Sequence, residues 1–315
     1  MAPTILVAGA TGNTGRSVVE TLSKLLGSSD FLSGYRVLAI TRSLNNPTAQ
    51  SFTKLPGVQV VEKNWVEISA DWLREHEVVR AFIASHNEPS QFAEETTFHV
   101  AALEAGVKYV VRISTTSPNV RPDAVTYYAR AHWAIEALLS TPEFEGLHWT
   151  SLRPNIFSQL FLNSSAELIK QYRKTGEQST LRLLGPVDVP IGIIDPDDVG
   201  FFAAQLLAQK DTAPHNNAKY ILNGPEDVTG AQIVKMVEEY VGTKVENVSY
   251  KDMSFIEAWA AASPGSAHLK LSVKHALKTS WAGLCSTSTT SKEVLEIAPP
   301  KRTPAQVLKS LVEQS

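Results

Sequence analysis

Only one cysteine, Cys285, stands among the 315 residues, so no internal disulfide can form and a reducing compartment is expected. Long apolar runs are missing too: none approaches the ~20 residues that a helix needs to cross a bilayer. There is no excess of positive charge, with 29 Lys and Arg against 32 Asp and Glu and a net charge of −3. That balance removes the basic footprint of a nucleic-acid or anionic-membrane binder. The histidines are scattered without the close spacing of a zinc site, so no metal is expected. No internal repeat or low-complexity tract interrupts the chain. The first apolar run begins at Thr4, which leaves no room for a signal or transit peptide, and the expected location is cytoplasmic. A chain of this length can bury a large core.

What is present begins with Thr4-Ile5-Leu6-Val7-Ala8, a short apolar run followed at once by Gly9-Ala10-Thr11-Gly12-Asn13-Thr14-Gly15. Val18, Val19, Leu22, Leu25 and Leu26 then recur at helical spacing. The three glycines therefore sit on the turn from a buried strand into an amphipathic helix, the context that dinucleotide binding requires. Gly9 suits the tight turn, Gly12 lets the backbone approach a phosphate, and Gly15 lets helix and strand pack. Thr11, Asn13 and Thr14 complete a loop whose free amides, with the positive end of the helix dipole, point at a pyrophosphate.

Strand and helix signals alternate through the first half. Strands are predicted at Tyr35–Ile40, Val58–Val61, Val78–Ala84, Tyr109–Ser114 and Leu147–Leu152. Helices are predicted at Glu94–Ala105, capped by Gly106, and at Thr126–Leu139. This alternation implies an α/β fold, a doubly wound parallel Rossmann sheet with both faces covered. Beyond Pro154 the pattern loosens: a helix at Ser158–Thr175, a short strand at Val189–Ile194, a helix opened by Pro196-Asp197-Asp198, a helix at Gly230–Val241 and an edge strand at Val245–Tyr250. A final helix is started by Thr303 as N-cap and Pro304 at N1. Residues 1–155 are expected to form the NADP-binding lobe, completed by 187–208. The remainder, 156–315, is expected to form mainly a smaller, irregular α/β lobe that binds substrate.

The end of the second strand selects the cofactor. A carboxylate there would favour NAD, but this chain has Thr41-Arg42-Ser43. Arg42 suits a 2′-phosphate as a planar fork and Thr41 or Ser43 can add a hydroxyl, so NADP(H) is the expected cofactor, with an exposed loop arginine as the alternative. Ser85 and His86 follow the fourth strand and Ser114-Thr115-Thr116 the fifth; Ser85 is a candidate contact to the nicotinamide half and Ser114 to the nicotinamide ribose or substrate, with a polar loop and a strand-end turn as the alternatives. Phe157, Phe161 and Trp281 are candidates for the substrate pocket, with core packing as the alternative.

The glycine loop, Ala105-Gly106-Val107-Lys108-Tyr109-Val110-Val111-Arg112-Ile113-Ser114, Ala131-His132-Trp133-Ala134-Ile135-Glu136, Leu152-Arg153-Pro154-Asn155-Ile156-Phe157 and Ile194-Asp195-Pro196-Asp197-Asp198-Val199 together resemble the NmrA-like branch of atypical short-chain dehydrogenases. The resemblance implies a Rossmann lobe, NADP(H) binding and a variable substrate lobe. It does not imply one activity, because some members reduce quinones or other electrophiles and others are regulators that sense the NADP redox state. Asn64 stands just after the third strand, where the family often has an Asp near the adenine.

Ordinary short-chain dehydrogenases carry a Tyr and, four residues later, a Lys that lowers the tyrosine pKa. Here Tyr128 is followed at that spacing by His132, and Glu136 lies one turn further. Tyr128 and His132 are the catalytic candidates, through a Tyr–His or His–Glu relay; the alternative is that His132 is a packing residue beside a core stripe. The expected function is an NADPH-dependent reductase of a small hydrophobic electrophile (a quinone, enone or activated carbonyl) working without the Tyr–Lys pair. The rival is a non-catalytic NADP(H)-binding sensor that acts through a protein partner.

Overall fold

A computed structural model of the chain describes residues 2–262 and 264–314. The first half runs β1 (Thr4–Ala8), α1 (Gly15–Leu26), β2 (Arg36–Thr41), α2 (Pro47–Phe52), β3 (Val58–Glu62), α3 (Ala70–Glu75), β4 (Val78–Ile83), α4 (Gln91–Ala105), β5 (Tyr109–Ile113), α5 (Tyr127–Leu139) and β6 (His148–Pro154). The second continues with α6 (Ser158–Thr175), β7 (Leu181–Leu183), α7 (Pro196–Leu207), β8 (Ala218–Leu222), α8 (Gly230–Val241), β9 (Val248–Tyr250), α9 (Ser254–Ala262), α10 (Ala267–Leu271), α11 (Lys278–Trp281), α12 (Lys292–Ile297) and α13 (Pro304–Glu313).

Seven strands form one parallel sheet in the order β3-β2-β1-β4-β5-β6-β8. This is the doubly wound Rossmann arrangement, and the strand order reverses between β1 and β4. All five residues of β1 are buried because it lies between two strands with helices on both faces, which explains its unbroken apolar run. Ile5, Val7, Val18, Leu22, Phe202 and Leu206 pack on one face beneath α1 and α7. Leu6, Leu38, Phe98, Ile135 and Trp149 pack on the other beneath α3, α4 and α5. Leu162, Ile169, Leu181, Ile233 and Leu308 make a separate core in the C-terminal part, where β7 pairs with β9.

The predicted caps form: Gly106 ends α4 with φ 78°, and Thr303 with Gln306 closes a capping box on α13. Val189–Ile194 differs from expectation. It makes only single bridges, Ile194 to Phe157 and Ile191 to Val228, because it crosses between the main sheet and the C-terminal part instead of lying along an edge. The edge strand expected from Val245 begins at Val248.

Candidate functional site

A cleft of about 860 Å³ opens over the C-terminal ends of the parallel strands, where the strand order reverses. Its floor is the glycine loop. Gly9 has φ +81°, and a Cβ there would sit 2.9 Å from the Ala84 carbonyl oxygen. Gly15 does not line the cleft; a Cβ on it would lie 2.1 Å from the Gly9 carbonyl oxygen, so it fixes how closely α1 approaches β1. Gly9, Thr11, Gly12, Asn13 and Thr14 do line it. Among the described residues the amides of Thr11, Asn13 and Thr14 find no acceptor, and no side chain caps α1. Unpaired N–H groups at the start of a 12-residue helix fit an anionic ligand.

At one end of the cleft, Arg42 leaves β2 exposed, and Lys63 leaves β3 beside it. Neither side chain has a hydrogen-bond or ion-pair partner among the described residues, so two cations converge where the sequence pointed to one. Asn64 lines the same region. Ser43 does not line the cleft; its Oγ accepts from the Asn45 amide at 3.2 Å.

Past the glycine loop lie Ser85, Ser114, Thr115, Thr116 and Tyr128. Ser114 lines the cleft but is buried, and its enclosed Oγ has no hydrogen-bond partner among the described residues. Ser85 Oγ donates to Glu95 Oε2 at 2.5 Å. Tyr128 is half-buried; burial pushes its phenol up to about 12, with a hydrogen bond to Thr115 acting against that shift. No cation beside it lowers that value.

His132 touches the cleft but is only 2% exposed. Its Nδ1 accepts from Arg112 Nη2 at 2.9 Å, because a guanidinium can only donate. Burial and the Arg112 charge push the imidazole down to about 3, so it is neutral at ordinary pH. Neither expected relay is assembled. The rings of Tyr128 and His132 meet edge-on at 6.4 Å with no hydrogen bond, and Glu136 is engaged by Arg153 and Ser151 instead of His132.

The far end of the cleft is apolar: Phe157 and Leu160 at the start of α6, Leu184 after β7, Met253 and Ile256 near α9, and Leu277 before α11. Phe157 lines the cleft and also packs against the sheet core. Phe161 and Trp281 do not line it; both turn into the C-terminal core, the alternative that the sequence offered, and Trp281 Nε1 donates to the Leu184 carbonyl at 2.8 Å.

Three participants escaped sequence analysis: Lys63, Glu95 and the buried role of Arg112. One signal was available for Arg112, since an arginine inside the apolar run of a central strand needs a buried partner.

Comparison with known proteins adds context. A profile of the NmrA-like family matches residues 1–269. An NAD(P)H azoreductase of Xenophilus azovorans is 26% identical over 248 residues, covering 78% of this chain and 76% of that protein. The crystal structure of the Escherichia coli NADPH-dependent quinone oxidoreductase QOR2 with NADPH superposes with a TM-score of 0.71 at 22% identity, covering 98% of this chain and 99% of that one. NmrA, a negative transcriptional regulator, superposes equally well, with a TM-score of 0.71 at 15% identity over 100% of this chain and 96% of that one. At those identities the two superpositions speak for the fold. The profile match spans most of the sequence, and the chain belongs to the NmrA-like family.

Proposed function

We propose that the protein is an NADPH-dependent reductase of a small, apolar, activated electrophile such as a quinone or enone. The observation that carries this reading is the continuity of the cleft: one cavity of about 860 Å³ joins the glycine loop to an apolar end at Met253 and Leu277. A cofactor sensor needs only the first part. The azoreductase and quinone oxidoreductase among its relatives point the same way.

The residues fit a 2′-phosphorylated dinucleotide. Free amides of Thr11, Asn13 and Thr14 take the pyrophosphate, Arg42 and Lys63 take the 2′-phosphate, and the nicotinamide half lies along Ser85 and Ser114. Bound NADPH supplies a hydride. The protein's part is to orient the acceptor against the apolar wall, keep water off it, and donate a hydrogen bond from the Tyr128 hydroxyl to the oxygen that gains charge.

The residues also limit the acceptor. A phenol near 12 is a hydrogen-bond donor and a poor acid at neutral pH, and a neutral His132 carries no spare proton. A quinone or enone yields a stabilised oxyanion that solvent can protonate. A plain ketone yields a basic alkoxide and forfeits the roughly 10²–10⁴-fold that a positioned acid provides. The same weakness in proton supply favours the rival reading, a non-catalytic sensor acting through a protein partner. NADPH consumption with quinones, enones and ketones separates the two: turnover of the activated acceptors supports the reductase, and NADP+ binding without turnover of any acceptor supports the sensor.

A further inference from the structure

Below the cleft wall lies a charged cluster centred on Arg112. This residue sits in β5 between β4 and β6, is fully buried, and does not line the cleft. All three of its nitrogens are engaged. Nε donates to Glu95 Oε1 at 2.5 Å, Nη1 to Ser151 Oγ at 2.9 Å, and Nη2 to His132 Nδ1 at 2.9 Å. Glu95 and His132 each reach one residue of the loop after β4. Ser85 Oγ donates to Glu95 Oε2 at 2.5 Å, and His132 Nε2 lies 3.2 Å from Asn87 Oδ1. Ser85 and Asn87 both line the cleft.

The direction of each hydrogen bond follows from what Arg112 can do. It has no lone pair, so His132 Nδ1 must accept, the ring proton resides on Nε2, and Nε2 donates to Asn87. Asn87 thereby commits its carbonyl oxygen and keeps its NH₂ for the cleft. The ionised Glu95 has no proton to give, so Ser85 commits its hydroxyl hydrogen inward. Ser85 also accepts from Gln91 Nε2 at 3.0 Å, which leaves one lone pair toward the cleft.

We propose that Arg112 is a positioning residue that presets the hydrogen-bond polarity of the cleft wall, making Ser85 an acceptor and Asn87 a donor toward the nicotinamide nucleotide. The proposal rests on the NADP(H) reading above. β4 begins the half of the sheet on the opposite side of β1 from Arg42 and Lys63, so its loop faces the nicotinamide half, whose ribose hydroxyls and carboxamide supply the matching groups. Charge alone does not suffice at this position. A lysine keeps the charge, but its compact ammonium cannot hold a carboxylate, a hydroxyl and an imidazole in one planar fork.

Calorimetric titration of the full-length protein with NADP+ and with 2′,5′-ADP, which lacks the nicotinamide half, tests this. Arg112→Lys and Ser85→Ala are each expected to weaken NADP+ about tenfold, and the double variant to be little worse than either. The affinity for 2′,5′-ADP should stay within about twofold throughout, which a general loss of structure would not allow. The proposal is overturned if folded Arg112→Lys binds NADP+ like the wild type, if the two losses multiply to about 100-fold, or if 2′,5′-ADP is lost in parallel. Should Arg112→Lys not fold, His132→Gln and His132→Leu replace it. Glutamine can accept from Arg112 and donate to Asn87, so it should retain NADP+ affinity where leucine loses about tenfold; equal behaviour of the two overturns the proposal. Wild-type protein that does not bind NADP+ overturns this proposal together with the cofactor reading. Binding without turnover overturns only the reductase.

Discussion

On the proposed reading Arg42 and Lys63 select the phosphorylated dinucleotide, because each is a cation at a strand end whose side chain has no partner among the described residues. Arg42→Ala removes a charge-assisted pair to the 2′-phosphate and is expected to weaken NADP+ about tenfold or more while leaving NAD+ nearly unchanged; paired titrations measure it. Deeper in the cleft, His132 near 3 and Tyr128 near 12 both lie far from neutrality. His86 also lines the cleft, so the clean test uses His86→Gln: in that variant the rate with a quinone should be flat between about pH 6 and 9, and a break near the ordinary histidine range would contradict the neutral His132. Arg42 could be singled out because it closely follows a predicted strand. Lys63 could not, since its convergence with Arg42 depends on how β2 and β3 lie side by side. For His132, the sequence supplied its spacing from Tyr128 but not its partner Arg112, which comes from β5.

Between the elements, close approach and buried charge govern stability. α7 crosses α1 at Gly200, where a Cβ would lie 2.4 Å from the Thr14 carbonyl oxygen. Gly200→Ala should destabilise the fold by about 1–3 kcal/mol and weaken NADP+ by displacing the start of α1, measurable by denaturant unfolding and titration. The cluster between α4, α5 and β5 sets the response to acid. Burial lowers His132 and His99 below the ordinary 6.5, so the unfolded chain binds more protons than the folded one once the pH falls under that value. Stability is full above it and is lost on acidification. For His132 the loss reaches about 2 kcal/mol by about pH 5. Burial would raise Glu95, but the charge and hydrogen bond of Arg112 hold it well below the carboxylate range, which adds a further loss at lower pH. Thermal unfolding at about pH 7.5 and pH 5 should show a midpoint several degrees lower in acid. Elements with a clear period, such as β1, α1, α6 and α13, were legible in the sequence. Val189–Ile194 was not, because an apolar run buried between two cores has the same pattern as a strand.

The whole molecule places a sheet that grips a dinucleotide under an irregular part that supplies an apolar wall. The parallel sheet could be foreseen from alternation, since crossover helices leave a period in the sequence. The wall could not, because Leu160, Leu184, Met253 and Leu277 come from four separate segments with no common spacing. That wall, together with a Tyr128 and a His132 that hold no proton ready to give near neutral pH, is what supports the proposed preference for activated acceptors. The most direct test is the rate of NADPH oxidation at saturating cofactor with 1,4-naphthoquinone beside a plain ketone of similar size. A preference of at least about 10²-fold for the quinone in kcat/KM is predicted, from the missing acid catalysis. Equal rates would contradict the account, and so would the absence of turnover in a protein that binds NADP+.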